Sequence, residues 1–246
     1  MYLHKIYLLI VILFCSGCLQ TSVGQITAEK QALNELWDFN LPDKDESKIM
    51  LAIKYLFVPQ VVIDANKMRQ YISDERFSRF RDKYGDINAV NAIFSKSVKE
   101  CDYNLKTALF SCLFSVLDHR YVTFKAPLGS TVNLPLTFET DSSFIVRVNH
   151  LPKRLYDDSP NTTVGDRDKL QHFFAGAYLA YLTDLPKLVE IIGNLIEWLE
   201  QRLVVDGLDD WRDKRANRQG ASFGSALLYN KTSIPSEFIG SEKQEE

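Results

Sequence analysis

The sequence predicts a mainly α-helical protein with a small antiparallel β element, an α+β arrangement that closes in a C-terminal three-helix unit. Three observations point there. Apolar residues recur at helical spacing through much of residues 47–117 and again over 166–228. The segment between them alternates apolar and polar residues around proline and turn residues. The chain is 46% hydrophobic and 25% charged, an ordinary globular make-up, and long enough for a real core. The regions expected are a leader (1–24), a helical region (25–120), a short β hairpin with a linker (121–160), the helical unit (161–230) and a tail (231–246).

The leader reads as an export signal. Lys5 precedes the uncharged run IYLLIVILF at 6–14. Such a run is too short for a bilayer core of about 30 Å but suits a signal peptide. It ends in Phe14-Cys15-Ser16-Gly17-Cys18, where small residues before a cysteine resemble a lipobox, with Cys15 standing where a Leu-like residue is usual. The favoured reading is a cut before Cys18 and lipidation there. A cut before Gln25, after Ser22-Val23-Gly24, is the alternative and gives a soluble periplasmic or secreted product. Either way the expected address is the cell envelope, with a lipid anchor in the outer or inner membrane facing the periplasm in the first case.

Within the body, residues 47–58 carry Met50, Ile53, Leu56 and Phe57 at helical spacing, stopped by Pro59. Ser73-Asp74-Glu75-Arg76 starts a further helix with acids in its first turn. Residues 86–117 form the longest helical pattern, with Cys101-Asp102-Tyr103-Asn104 as a break. Cys101 and Cys112 are expected as buried thiols or, in an oxidising compartment, a disulfide. Tyr121-Val122-Thr123-Phe124 is β-prone, and Pro135 makes 131–138 an edge strand that 143–148 could join across Thr140-Asp141-Ser142. Pro152 and Asp157-Asp158-Ser159-Pro160 mark the linker, and the tail after Ser233 reads as frayed.

The last third divides into helices near 168–183, 188–204 and 208–228. Asp168 and His172 share a face of the first, with Gly176 one turn on. Glu190, Asn194 and Glu197 share a face of the second, otherwise apolar, helix. Asp213 and Asn217 share a face of the third, with Gly220 and Gly224 following. Carboxylates on apolar helices need partners when buried. Glycines beside them suggest helices close enough for the polar groups to meet. Asp168, His172, Glu190, Glu197, Asp213 and Asn217 are therefore the candidate site. A carboxylate beside an imidazole orients a general base. A single histidine without a second at ligand spacing argues poorly for a metal, and no cofactor is expected. The structural alternative keeps Asp168 as a helix-start acid and Asp213 in a surface ion-pair network with Arg212, Lys214, Arg215 and Arg218. Asp206, Asp209 and Asp210 read as cap and loop acids, and His119 and His150 as incidental.

The run Asp168-Lys169-Leu170-Gln171-His172-Phe173, the acidic helix, and Asp213-Lys214-Arg215-Ala216-Asn217-Arg218-Gln219-Gly220 together resemble the YfiM-like periplasmic lipoprotein family. More distantly they are similar to VanZ-like proteins, without the hydrophobic spans of those proteins. The resemblance covers about a quarter of the chain and implies a small helical envelope domain with Asp168, His172, Asp213 and Asn217 at matching positions. It brings no reaction with it. A net charge of −3 offers no basic excess for nucleic acid. The expectation is a tethered envelope protein with a structural or binding role, its partners being the membrane through its anchor and an unspecified protein or envelope ligand. An envelope hydrolase is the alternative, with His172 as base, Asp168 or Glu197 orienting it, and Asn217 as a donor.

Overall fold

The computed structural model describes residues 36–41, 60–125, 131–135, 137, 139–183 and 210–240. The chain divides into two compact units, Met1–Asn40 and Leu41–Glu246. In the first unit, Leu36 and Trp37 are helical and Asp38, Phe39 and Asn40 irregular. The leader and the helices expected at 47–58 and 188–204 lie outside the described residues. The second unit is mainly helical: α1 Gln60–Ser73, α2 Glu75–Tyr84, α3 Asp86–Glu100, α4 Leu105–Ser115, α5 Asp141–His150, α6 Arg167–Thr183 and α7 Trp211–Tyr229. None of these is long and apolar enough to cross a membrane.

Local chemistry explains most boundaries. Asp74 caps α2, its carboxylate accepting from the Arg76 N–H at 2.9 Å. Gly85, at φ 89°, turns the chain from α2 into α3, and a Cβ there would meet nothing, so conformation and not space selects glycine. The break at 101–104 is real. Asp102 and Tyr103 take positive φ, the Tyr103 N–H reaches back to Val98 O at 2.8 Å, and Asn104 caps α4 through the Thr107 N–H. Cys101 and Cys112, on opposite sides of this break, are both buried and free.

Three expectations need correction. α1 was not anticipated, because Pro59 was read only as a stop; proline also stands readily at a helix start. Its residues Ala65, Met68, Tyr71 and Ile72 are buried at helical spacing. Residues 143–148 are not a strand but the body of α5. Thr140 caps it by accepting from the Ser143 N–H, and Asp141 sits in its first turn. Arg147 is wholly buried while Ile145 and Val146 are exposed, so the apolar run around Arg147 does not mark a strand. Nor is the tail frayed up to residue 240. Asn91 and Ser236 exchange two hydrogen bonds of 2.9 Å, Phe238 packs on Phe223, and Ile239 is buried.

The core is aromatic. Tyr71 meets Phe77, while Phe173, Phe174, Phe94 and Phe223 form one connected set that joins α3, α6 and α7. His150 also belongs to the frame, its Nδ1 lying 2.9 Å from Ile72 O and tying α5 to α1.

Candidate functional site

The site is built where α6 and α7 pack together. Gly220 and Gly224 make the approach possible, since a Cβ on either would collide with the backbone carbonyl of Phe173 or Ala177. Gly176 answers from α6, where a Cβ would strike the Asn217 carbonyl. The polar–small faces of the first and third expected helices thus do meet, with glycine at the contact.

At the end where both helices begin, Lys169 is the centre. Its side chain is 2% exposed, and its ammonium lies 2.6 Å from Asp168, 2.7 Å from Asp210 and 2.7 Å from Asp213. Three N–H donors thus face three carboxylates. Asp210 has a second task as N-cap of α7, accepting from the Arg212 N–H at 2.9 Å. Burial alone would lower the lysine pKa, but the hydrogen bonds from Asp168, Asp210 and Asp213 outweigh it and raise the value. For Asp210, burial pushes the carboxyl up, and Lys169 with the Arg212 N–H pulls it below its ordinary value.

His172, 23% exposed, stands at the edge of this group with Nε2 3.3 Å from Asp213 Oδ1. Asn217 contributes its backbone carbonyl to the glycine contact. Asp168, His172 and Asp213 are therefore brought together, with Asn217 one turn along α7. Glu190 and Glu197 lie outside the described residues. The carboxylate oxygens of Asp168, Asp210 and Asp213 all fall within 4.8 Å of one another, a set that could hold a cation; here the Lys169 ammonium occupies that role.

Lys169 and Asp210 were absent from the sequence-derived set. Lysine next to Asp168 reads as one more solvated charge, and Asp210 as a cap, which it also is. The basic neighbours of Asp213 serve elsewhere than expected. Arg215 reaches Asp158 at 2.7 Å, and Arg212 pairs with the buried Asp166. The Arg215 guanidinium is also 3.9 Å from the Tyr156 ring centre and 4.8 Å from that of Trp211. Tyr156 donates to Gln219 Oε1 at 2.9 Å. Tyr156 and Asp158, in the stretch expected as a linker, are thus bonded to α7. The Arg215 hydrogen bond holds the Asp158 carboxyl below its ordinary pKa, while burial raises the Tyr156 phenol.

Chemically the arrangement can pin two helix starts to each other and present a histidine–carboxylate pair at its rim. No family model, curated protein or solved structure matches the chain.

Proposed function

We propose that the chain is an exported, lipid-anchored cell-envelope protein with a structural or binding role, and that its Lys169-centred cluster fastens the C-terminal helices. The observation that carries the role is the lysine itself. Its ammonium is buried and lies within 2.7 Å of a carboxylate oxygen on each of three aspartates, an arrangement suited to holding geometry. The uncharged run before Cys18 and the Asp168 to Phe173 motif support the address and the YfiM-like kinship. Two finer features of the fold belong to the same proposal. One is a helix at 188–204 completing a three-helix unit. The other is a short antiparallel ribbon, supported by backbone pairing of Tyr121–Lys125 with Thr131–Pro135, Tyr121 opposite Pro135.

One observation favours the hydrolase as a second reading: His172 is partly exposed and 3.3 Å from Asp213, a pair of general-base type. Complementation separates the two. The structural reading expects Lys169→Met to lower stability and complement poorly, and His172→Ala to complement. The hydrolytic reading expects His172→Ala to fold normally and fail. For the address, Cys18→Ser should move the protein from the membrane to the soluble envelope fraction; retention on the membrane would refute the anchor.

A further inference from the structure

We propose that Arg167 and Lys153 form a binding site for a phosphate group, carried by a small soluble molecule or by a lipid headgroup. The starting point is an unsatisfied arginine. Arg167, first residue of α6, is 6% exposed, yet its guanidinium donates no hydrogen bond to any described residue, and its Nε is sealed from solvent. The other buried arginines differ. Arg147 reaches Glu139 and two carbonyls, and Arg69 the Phe114 carbonyl. Arg215, whose Nε is also buried without a hydrogen bond, still donates to Asp158 through Nη2. An unmatched buried guanidinium is costly. The carboxylate whose charge acts on Arg167 is Asp118, and it is already engaged by Gln171 at 2.5 Å and by His119 at 2.6 Å.

A second cation is held beside it. The Lys153 carbonyl accepts from the Asp166 N–H at 2.8 Å, one residue before Arg167, and the Lys153 N–H donates to Asp86 at 3.0 Å. The turn is tight: Gly165 has φ +62°, and a Cβ there would collide with the Lys153 carbonyl. The Lys153 side chain is partly exposed and has no ion pair among the described residues. Burial, together with the charges of Arg167 and Arg81, holds its pKa below the ordinary lysine value, with Asp86 and Asp82 opposing. Arg81, whose charge also acts on both, has its donors taken by the Asn149 and Leu151 carbonyls and Asp82.

Two cations that repel each other, one buried and one at the surface, thus sit at the start of a 17-residue helix whose dipole adds positive potential. A doubly charged phosphate would answer both, and its oxygens suit the guanidinium fork. A singly charged carboxylate would leave one cation unmatched. Asp118, Asp86 and Asp82 limit the positive field to this spot, which fits a single phosphate and not a polyanion.

The test is thermal unfolding of the full chain against inorganic phosphate at constant ionic strength, with chloride as the control. Phosphate should raise Tm saturably. Arg167→Met and Lys153→Met should each weaken the apparent affinity by at least about tenfold, the worth of a charge-assisted hydrogen bond. Arg167→Met should keep or raise Tm without phosphate, because it removes an unmatched buried charge. Should that variant not fold, Lys153→Met still carries the test. Dioctanoyl phosphatidic acid, compared with dioctanoylglycerol, tells the sources apart. Much tighter binding than inorganic phosphate assigns a lipid headgroup, and equal binding a soluble phosphate. The proposal is overturned by no saturable response to either phosphate probe, by an equal response to chloride, or by binding that survives in both variants.

Discussion

Two regions of this molecule bury a cation, and they do so in opposite ways. Where α5 meets the end of α4, Arg147 is fully buried and its donors go to Glu139, at 2.8 and 2.9 Å, and to the carbonyls of Ser115 and Leu117. Arg69 adds the Phe114 carbonyl. Two arginines thus share one carboxylate and finish the C-terminal end of α4, where carbonyls lack partners and the dipole is negative. Where α6 and α7 begin the balance reverses: one lysine serves three aspartates that remain partly in contact with solvent. The first arrangement is sealed and its partners are largely backbone. The second is acidic, made of side chains, and borders a histidine. The difference teaches where activity could reside. A closed network around helix-end carbonyls has nothing left to offer a ligand, whereas the acidic group keeps a surface.

The comparison can be broken most strongly at Arg147. Arg147→Met should leave Glu139 buried with Arg69 at 3.9 Å and the Thr137 hydroxyl at 2.9 Å, and strip the Ser115 and Leu117 carbonyls of their donor. A loss of about 3–5 kcal/mol is expected from breaking a buried pair. Denaturant unfolding that shows less than about 1 kcal/mol would mean the site is far wetter than its burial says.

Lys169→Met comes next, at about 2–4 kcal/mol near neutral pH, because three partly solvated aspartates are left facing one another. Here pH sharpens the contrast. The folded-state pKa of Asp210 is depressed, so its contribution is present above the unfolded value near 3.9 and is lost as pH falls through the lower folded value. The raised Lys169 value works the other way, contributing fully below the ordinary lysine pKa of about 10.4 and fading only as pH climbs through the folded value. Wild type should therefore lose stability in acid, and the variant should lose less, so their difference narrows below pH about 4. The difference for Arg147→Met should narrow only in part. Burial pushes the Glu139 carboxyl up, but the Arg147 hydrogen bonds hold it below its ordinary value, so that share is lost in acid. The share carried by the Ser115 and Leu117 carbonyls does not titrate. Unfolding curves across pH 2–7 on both variants would check it.

Much of this contrast could be read in the residue order, and the unread part has a common cause. Asp74 and the break at 101–104 were legible because caps and left-handed residues act within a few positions. The meeting of Asp168, His172 and Asp213 was legible because glycine spacing marks close helix approach. Lys169 and Arg147 were missed as centres: each is matched by groups distant in the chain, and nothing local separates a buried cation from a solvated one. The strand expected at 143–148 failed similarly. Its β-prone run and the turn residues before it suggest a hairpin, while the Thr140 cap and the burial of Arg147 against α4 make it a helix.

Between the electrostatic effects and the smallest one lies packing. Gly220→Ala would drive a methyl into the Phe173 carbonyl, backbone that cannot swing aside, and a loss of about 1–3 kcal/mol is expected. Gly85→Ala acts through φ alone and should cost about 1 kcal/mol or somewhat more, with no steric clash to relieve. Melting both variants side by side would show whether the α6–α7 contact is as tight as its geometry. Equal losses would mean the helices slide apart at little cost, and the acidic group would then lose the rigid frame that gathers it.

The smallest effect belongs to the residue nearest solvent. His172 touches Asp213 at 3.3 Å, while Lys169 holds the same carboxylate oxygen at 2.7 Å from within. Removing the imidazole leaves that oxygen with its stronger partner, so His172→Ala should cost no more than about 1 kcal/mol, as for a partly exposed ion pair. The double variant with Lys169→Met decides whether the two cations act together. If the lysine alone secures Asp213, the losses should add to within about 0.5 kcal/mol. A coupling of 1 kcal/mol or more would make the histidine part of the fastening, and the argument that it is left over for chemistry would go with it.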